Sequence, residues 1–173
     1  MRFGILVILI ATLLTGGCAT TKSHEPATSI GPFNTFSGRL IAIEPNRRWQ
    51  VLVDWDGTPD KGVVRLTHAA SNRIVKVTWG LEGMQILDNA DRNHQWRSVS
   101  KETLFENGII LPPGQFAQIL SGQMPDGIIN KGNGEWEGRI DGSFLRIKWL
   151  EKQQRLELID MTHGRTAILI IQP

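Results

Sequence analysis

Residues 48–56 read "RWQVLVDWD", and their period decides the fold: Trp49, Val51, Val53 and Trp55 fall on one face, while Gln50, Asp54 and Asp56 fall on the other. Successive side chains point to opposite sides of a strand, so this two-residue alternation predicts a half-buried β-strand and excludes an amphipathic helix. Leu52 is the one apolar residue on the polar face. The same alternation runs through the neighbouring segments. In "FSGRLIA", Phe36, Leu40 and Ala42 oppose Ser37 and Arg39; further on, Val64 and Leu66 oppose Arg65 and Thr67, and Val75, Val77 and Trp79 oppose Lys76 and Thr78. Four consecutive strands are predicted, with weaker strands over 83–88 and 94–97. Downstream, "EWEGRI", "FLRIKWL", "RLELIDM" and "TAILIIQ" are separated by "IDGS", "EKQQ" and "THGR", short connections rich in hairpin residues. The expectation is a mainly β domain, antiparallel, of roughly ten to eleven strands. A twisted sheet of that size curls rather than staying open, which gives an unclosed barrel or half-barrel.

One stretch breaks the β pattern. In "SKETLFENGIILPPGQFAQILSGQMPDG", residues 100–127, Ser100 is a helix N-cap with Glu102 in the first turn, and Asn107-Gly108 stops the helix. Pro113 opens a second helix, where proline costs nothing at the first turn. Phe116, Ile119 and Leu120 then share one face, and Gly122 and Pro125 end it. Two short helices between strands either lid an apolar cavity in the curled sheet or complete a solid core; the pattern leaves both open.

The amino-terminal segment has a different character. Arg2 is the sole charge before an apolar run from Phe3 to Leu14, too short for a bilayer core that needs about 20 residues, so the run reads as an export signal. Thr15, Gly16 and Gly17 lead to Cys18, the only cysteine. This resembles a bacterial lipoprotein signal, with Thr15 where the usual leucine stands. The resemblance implies cleavage after residue 17 and lipid attachment at Cys18, and Ala19 after it implies sorting to the outer membrane. A lipid also removes the liability of an unpaired thiol in an oxidising compartment. Residues 1–17 are thus assigned to the signal peptide, 18–34 to a lipidated terminus and tether rich in Thr, Ser, Pro and Gly, and 35–173 to the domain.

Composition excludes several classes. Of 19 basic and 17 acidic residues, cleavage removes only Arg2, leaving 18 − 17 = +1. With its charges scattered, the chain lacks the basic patch of a nucleic-acid binder. The histidines, His24, His68, His94 and His163, lie in the tether or in turns without metal-ligand spacing. No GxSxG elbow or phosphate loop occurs, and "GNGEWEG" lacks the strand-to-helix setting of one. Asp54 and Asp56 share a face but read as a hairpin end. The expectation is a protein that is not an enzyme and needs no cofactor or metal.

"FSGRL", "VRLTHAASNRIVKV", "LPPGQFAQILSGQMP" and "RLELIDMTHGRTAILII", in that order, resemble the outer-membrane lipoprotein receptor LolB family over nearly the whole domain. The resemblance implies an unclosed barrel whose helices lid an apolar cavity. The cavity would accept the acyl chains of lipoproteins from a periplasmic LolA-like carrier and release them into outer-membrane lipid, on the periplasmic face, as a lipid-anchored monomer. Residues on the matching strand and helix faces are the candidates to line it: Leu40, Trp49, Val51, Val53, Trp55, Leu111, Phe116, Ile119, Leu120 and Trp149. The family's membrane-facing loop falls on Ala69 and Ala70, with Ala70 in place of an exposed leucine, and its lid tryptophan falls on Ile119. A lipoprotein that uses the curled sheet as a scaffold or partner-binding module is the alternative.

The lipid assignment is testable by itself. Cys18→Ser should abolish palmitate labelling and release the protein from membranes, while the circular dichroism of the domain stays unchanged.

Overall fold

The computed structural model describes residues 29–172. Eleven strands form one antiparallel sheet: β1 (Thr35–Glu44), β2 (Arg47–Gly57), β3 (Gly62–His68), β4 (Arg73–Gly80), β5 (Gly83–Asp88), β6 (Arg97–Val99), β7 (Ile128–Gly132), β8 (Glu135–Ile140), β9 (Ser143–Leu150), β10 (Arg155–Asp160) and β11 (Arg165–Gln172). Their spatial order is β6-β5-β4-β3-β2-β1-β11-β10-β9-β8-β7. Every neighbour is a hairpin partner except β1 and β11, which pair across the middle from Ser37↔Gln172 to Ile43↔Thr166. The sheet is an open half-barrel with β6 and β7 as its two edges.

The connection between those edges carries the helices, α1 (Lys101–Glu106) and α2 (Pro113–Leu120). Ser100 caps α1 by accepting the Thr103 N–H on its hydroxyl at 3.2 Å. Gly108, at φ 88°, follows the Asn107 C-cap in a left-handed turn that an L side chain rarely adopts. The cap, both helix starts and both stops follow the residues that signal them.

Register places the apolar residues of the concave face in rows. One runs Trp49, Ala42, Ala167, Leu158, Ile147, Trp136, each opposite the next on the adjoining strand. The next runs Val51, Leu40, Leu169, Leu156, Trp149. On the β8–β11 side the rows are buried, and α2 is tied to them through Phe33, whose N–H bonds Leu120 O at 2.8 Å. Ile119, Leu120, Leu145, Ile147 and Leu156 have no exposed surface, and Trp149 packs against Phe33 with ring centroids 5.5 Å apart. At the far end of β2 and β3, Gly57 and Gly62 lie under the Trp79 ring, where a Cβ would come within 2.3 and 2.4 Å of its Cζ2. Only glycine leaves Trp79 that space. Leu52, the exception in its strand, is 46% exposed on the convex face.

Three expectations need correction. The domain begins before residue 35: Ile30 is 1% exposed, Phe33 N–H bonds Leu120 O and Gly57 N–H bonds Asn34 O, both at 2.8 Å, so residues 30–34 belong to the domain, with Ile30 in its core, rather than to the tether. The weak strand expected over 94–97 is instead Arg97–Val99, because a turn occupies the preceding residues, with His94 at φ 44°. Strand β7 was not anticipated. From Ile129 onward it is exposed, so no buried face imposes an alternation. Residues 1–28, with the signal peptide, Cys18, Ala19 and His24, lie outside the described residues.

The buried rows set the stability. Leu156→Ala should cost about 2–5 kcal/mol through lost burial and a residual cavity, whereas Leu52→Ala should stay within about 0.5 kcal/mol. Urea denaturation of the two variants measures the contrast.

Candidate functional site

The two halves of the concave face are not filled alike. Where Ala42 and Ala167 sit side by side in their row, between the larger Trp49 and Leu158, their short side chains leave room above the sheet. A slot of about 100 Å³ opens there, walled by Leu40, Trp49, Val53, Trp55 and Leu169 and roofed by residues 108–111, Pro113 and Phe116. Its lining is almost wholly apolar. Phe116 stands edge-on to Trp55 at 5.4 Å, and Trp55 lies against Trp79 at 4.9 Å. Trp79 donates its indole N–H to Thr58 O at 2.9 Å. The Trp55 indole nitrogen is buried without a hydrogen-bond partner among the described residues.

Trp49, Leu66 and Ile109 line both this slot and a larger open groove of about 530 Å³ beside it. The groove floor is the concave face of β2–β5, with Val51, Val75, Val77 and Ile86, and Leu104 of α1 borders it. Its mouth is polar and basic. Arg47 starts β2, His68 ends β3, Arg73 starts β4 and Asp88 ends β5, and antiparallel pairing brings all four strand ends to the same end of the sheet, together with Arg48. Arg47 Nε donates to Glu44 Oε1 at 2.7 Å, and Trp49 Nε1 donates to the same oxygen at 3.3 Å. The bond from Arg47 is the main cause that holds the Glu44 carboxyl below its ordinary pKa. Arg73 Nε reaches both oxygens of Asp88, at 3.2 and 3.1 Å, and the Ala90 N–H donates to Oδ1 at 2.9 Å. Arg73, the leading cause, thereby lowers the pKa of Asp88, and its own is raised in return. Among the described residues Arg48 forms no ion pair.

Of the ten residues expected to line a cavity, Leu40, Trp49, Val53, Trp55, Leu111 and Phe116 come together around the slot, and Val51 lies in the groove floor. Ile119, Leu120 and Trp149 lie elsewhere, in the filled half of the barrel; Ile119 and Leu120 are wholly buried and Trp149 nearly so. Helical spacing put Phe116, Ile119 and Leu120 on one face, but that face straddles two regions and only Phe116 points toward the slot. The basic mouth was missed from sequence because its residues are dispersed at strand ends. The doublet Arg47-Arg48 next to Trp49 was the one local signal.

Ala69 and Ala70 are exposed on the β3–β4 turn, which His68 and Ser71 hold by a 3.0 Å contact between Nδ1 and Oγ. Among the described residues the most exposed large apolar one is instead Leu81, between β4 and β5, at the opposite end of the sheet. His163 is not merely a solvated turn residue: its Nδ1 lies 2.8 Å from Oδ2 of the fully buried Asp160, and its ring stands edge-on to Phe105. Asp160 also accepts the backbone N–H groups of Thr162 and His163, which makes this cluster the brace of the β10–β11 turn. Asp54 and Asp56 accept hydroxyl bonds across the β1–β2 pair from Ser37 and Thr35. Among the described residues no cluster of three or more His, Cys, Asp or Glu is placed to hold a metal, and no helix is long and apolar enough to cross a membrane. No protein-family model matches the chain, and no curated protein matches it.

The Arg73–Asp88 pair gives the groove mouth a pH signature. Because the folded pKa of Asp88 is depressed below its ordinary 3.8, its contribution is full above that value and lost as pH falls through the lower folded value. Asp88→Asn should cost about 1–3 kcal/mol at pH 7, with the deficit shrinking as the pH is lowered below about 4. Urea titrations of both proteins at pH 7 and at pH 3 and below test this.

Proposed function

We propose that this chain is an acyl-chain receptor anchored to the outer membrane at Cys18, taking the lipid-bearing end of lipoproteins from a periplasmic LolA-like carrier and passing it to outer-membrane lipid. The observation that carries the reading is the apolar slot over Ala42 and Ala167, which adjoins the groove and shares Trp49, Leu66 and Ile109 with it. Each CH₂ of a chain in water costs about 0.8 kcal/mol, so a lipid in transit needs an apolar slot at every stop. Handover then requires only that the receiving site bind the chain better than the donor, a difference in affinity with no bond made or broken.

The volumes constrain how a chain is held. A slot of about 100 Å³ has room for a short stretch of alkyl chain, so the remainder lies along the groove, whose volume of about 530 Å³ falls in the range of about 300–1,000 Å³ common to ligand sites. The unpartnered Trp55 indole N–H carries a cost of about 1–3 kcal/mol that an acceptor atom entering the slot would offset. The competing reading, a solid partner-binding module, draws on the filled half of the barrel around Ile119, Leu120 and Trp149.

Filling the slot separates the two. Ala167→Leu adds bulk above the sheet where the slot lies; in an acyl receptor it should weaken binding of a fluorescent fatty-acid probe at least tenfold while overpacking costs no more than about 1–3 kcal/mol. Phe116→Ala should likewise change probe affinity more than stability. Wild-type protein that binds no probe, and carries no chain in native mass spectrometry, would establish the solid module instead.

A further inference from the structure

The convex face of the sheet is not neutralised evenly. On its β8–β10 side each outward carboxylate is taken up by a cation: Glu135 by Lys148 at 2.7 Å, Glu137 by Arg146 and Glu157 by Arg155, both at 2.6 Å. On the β1–β5 side register turns Arg39, Arg48, Arg65 and Lys76 outward, and among the described residues none of them forms an ion pair. The outward carboxylates there, Asp54 and Asp56, accept the hydroxyls of Ser37 and Thr35 instead. The outward charge of this half is 4 − 2 = +2. Arg65 and Lys76 stand directly opposite each other, an arrangement that destabilises a sheet and that an anion between them would relieve. Asp54 faces Arg65 from its other side, whereas Lys76 has only the apolar Leu87 there. The two cations border a hollow of about 270 Å³ with Ile74 and Leu87, completed by Asn89 and His94 of the β5–β6 connection, and no carboxylate lines it. Trp96 ends the same connection, next to Arg97, the partner of Ile86. At 44% it is the one exposed tryptophan of the six.

We propose that this outer corner is a docking face for an anionic lipid surface, whose phosphate headgroups meet Arg65 and Lys76 at the hollow while the Trp96 ring enters the headgroup layer. The inference rests on the outer-membrane anchoring proposed above and names the surface against which the domain lies. Charge complementarity selects the occupant: unpaired Lys and Arg beside a membrane are drawn to anionic lipid, and tryptophan is enriched at the level of the headgroups. Chain length supports the same choice. From Cys18 to Ile30 there are 30 − 18 = 12 residues, which reach at most about 40 Å when fully extended, so an anchored domain stays near lipid and a weak face suffices to orient it. The corner lies at the end of the sheet where the groove opens, because the connection carrying His94 and Trp96 follows Asp88 at the end of β5. Docking there brings the groove mouth to the membrane.

The test places the lipid-anchored protein on vesicles of brominated phosphatidylcholine, with and without phosphatidylglycerol, and reads tryptophan fluorescence, which bromine quenches on contact. Emission should be lower on the vesicles that contain phosphatidylglycerol, and the difference should shrink as salt is raised. Trp96→Phe should abolish the difference. Arg65→Gln with Lys76→Gln should abolish it too, with an unchanged thermal midpoint, since both side chains are exposed. Equal emission on the two kinds of vesicle, or a difference that survives in either variant, would overturn the docking face and leave the anchor standing. Inorganic phosphate that abolishes the difference at constant ionic strength would show a plain anion pocket, and concentration-dependent dimers lost in the double variant would assign the face to a second copy; either result overturns the assignment of a lipid surface. Protein that fails to float with neutral vesicles would overturn the anchor instead, and the docking face then stands or falls on whether phosphatidylglycerol restores flotation to the wild type but not to the double variant.

Discussion

Eleven twisted strands in one unclosed sheet leave a long concave face of apolar side chains that the sheet cannot cover by itself. Much else in the molecule answers that constraint. The sheet ends in two edges, and the chain must travel from one to the other, so the crossing segment is the natural cover. It carries the only two α-helices described, and it is anchored on both sides: Leu104 is buried on α1, and Ile119 and Leu120 are buried on α2. The edges themselves are kept from pairing with other chains by familiar devices. Strand β6 has three residues, and β7 is exposed, carries Asn130 and Lys131, and is bulged between Asn130 and Gly132.

Whether such a covered face is a core or a container depends on a few side-chain volumes. In the row that crosses the sheet from Trp49 to Trp136, two adjacent alanines interrupt the large residues, and the slot lies above them. Leucines in the next row show what that position would otherwise hold. The same fold could thus be solid with two substitutions, so the apolar opening is a property of Ala42 and Ala167 rather than of the architecture. The basic mouth is a separate device, made by turns and strand ends whose composition the core does not dictate.

This division explains what could be read in advance. Strands β1–β4 and β8–β11 alternate because one face is buried, and burial is what writes a period into sequence. The α1 cap at Ser100 and the stop at Gly108 are equally local. Strand β7 has no buried run and left no pattern; Ile30 looked like tether because the segment it docks against, at Gly122, is distant in sequence. The assignment of Ile119 and Leu120 to a cavity wall failed for a related reason. A helical face records that residues are buried, not which of two adjoining compartments buries them. The site suffers most from this: Arg47, Arg73 and Asp88 belong to three strands, and only the register of the sheet brings them to one opening.

The pairing of β1 with β11 has a temporal consequence. Ser37 and Gln172 are 172 − 37 = 135 positions apart, so the contact that joins the two halves of the sheet closes one of the longest loops in the chain. Each half can zip locally through its hairpins, but the seam between them must wait until β11 arrives, and long-range pairing of this kind slows folding. Until then both β1 and β10 expose an unpaired edge in the middle of the future barrel. A chain synthesised from its amino terminus would carry that open seam for most of its emergence, which makes protection of nascent β1 a requirement of its biogenesis rather than of its finished structure.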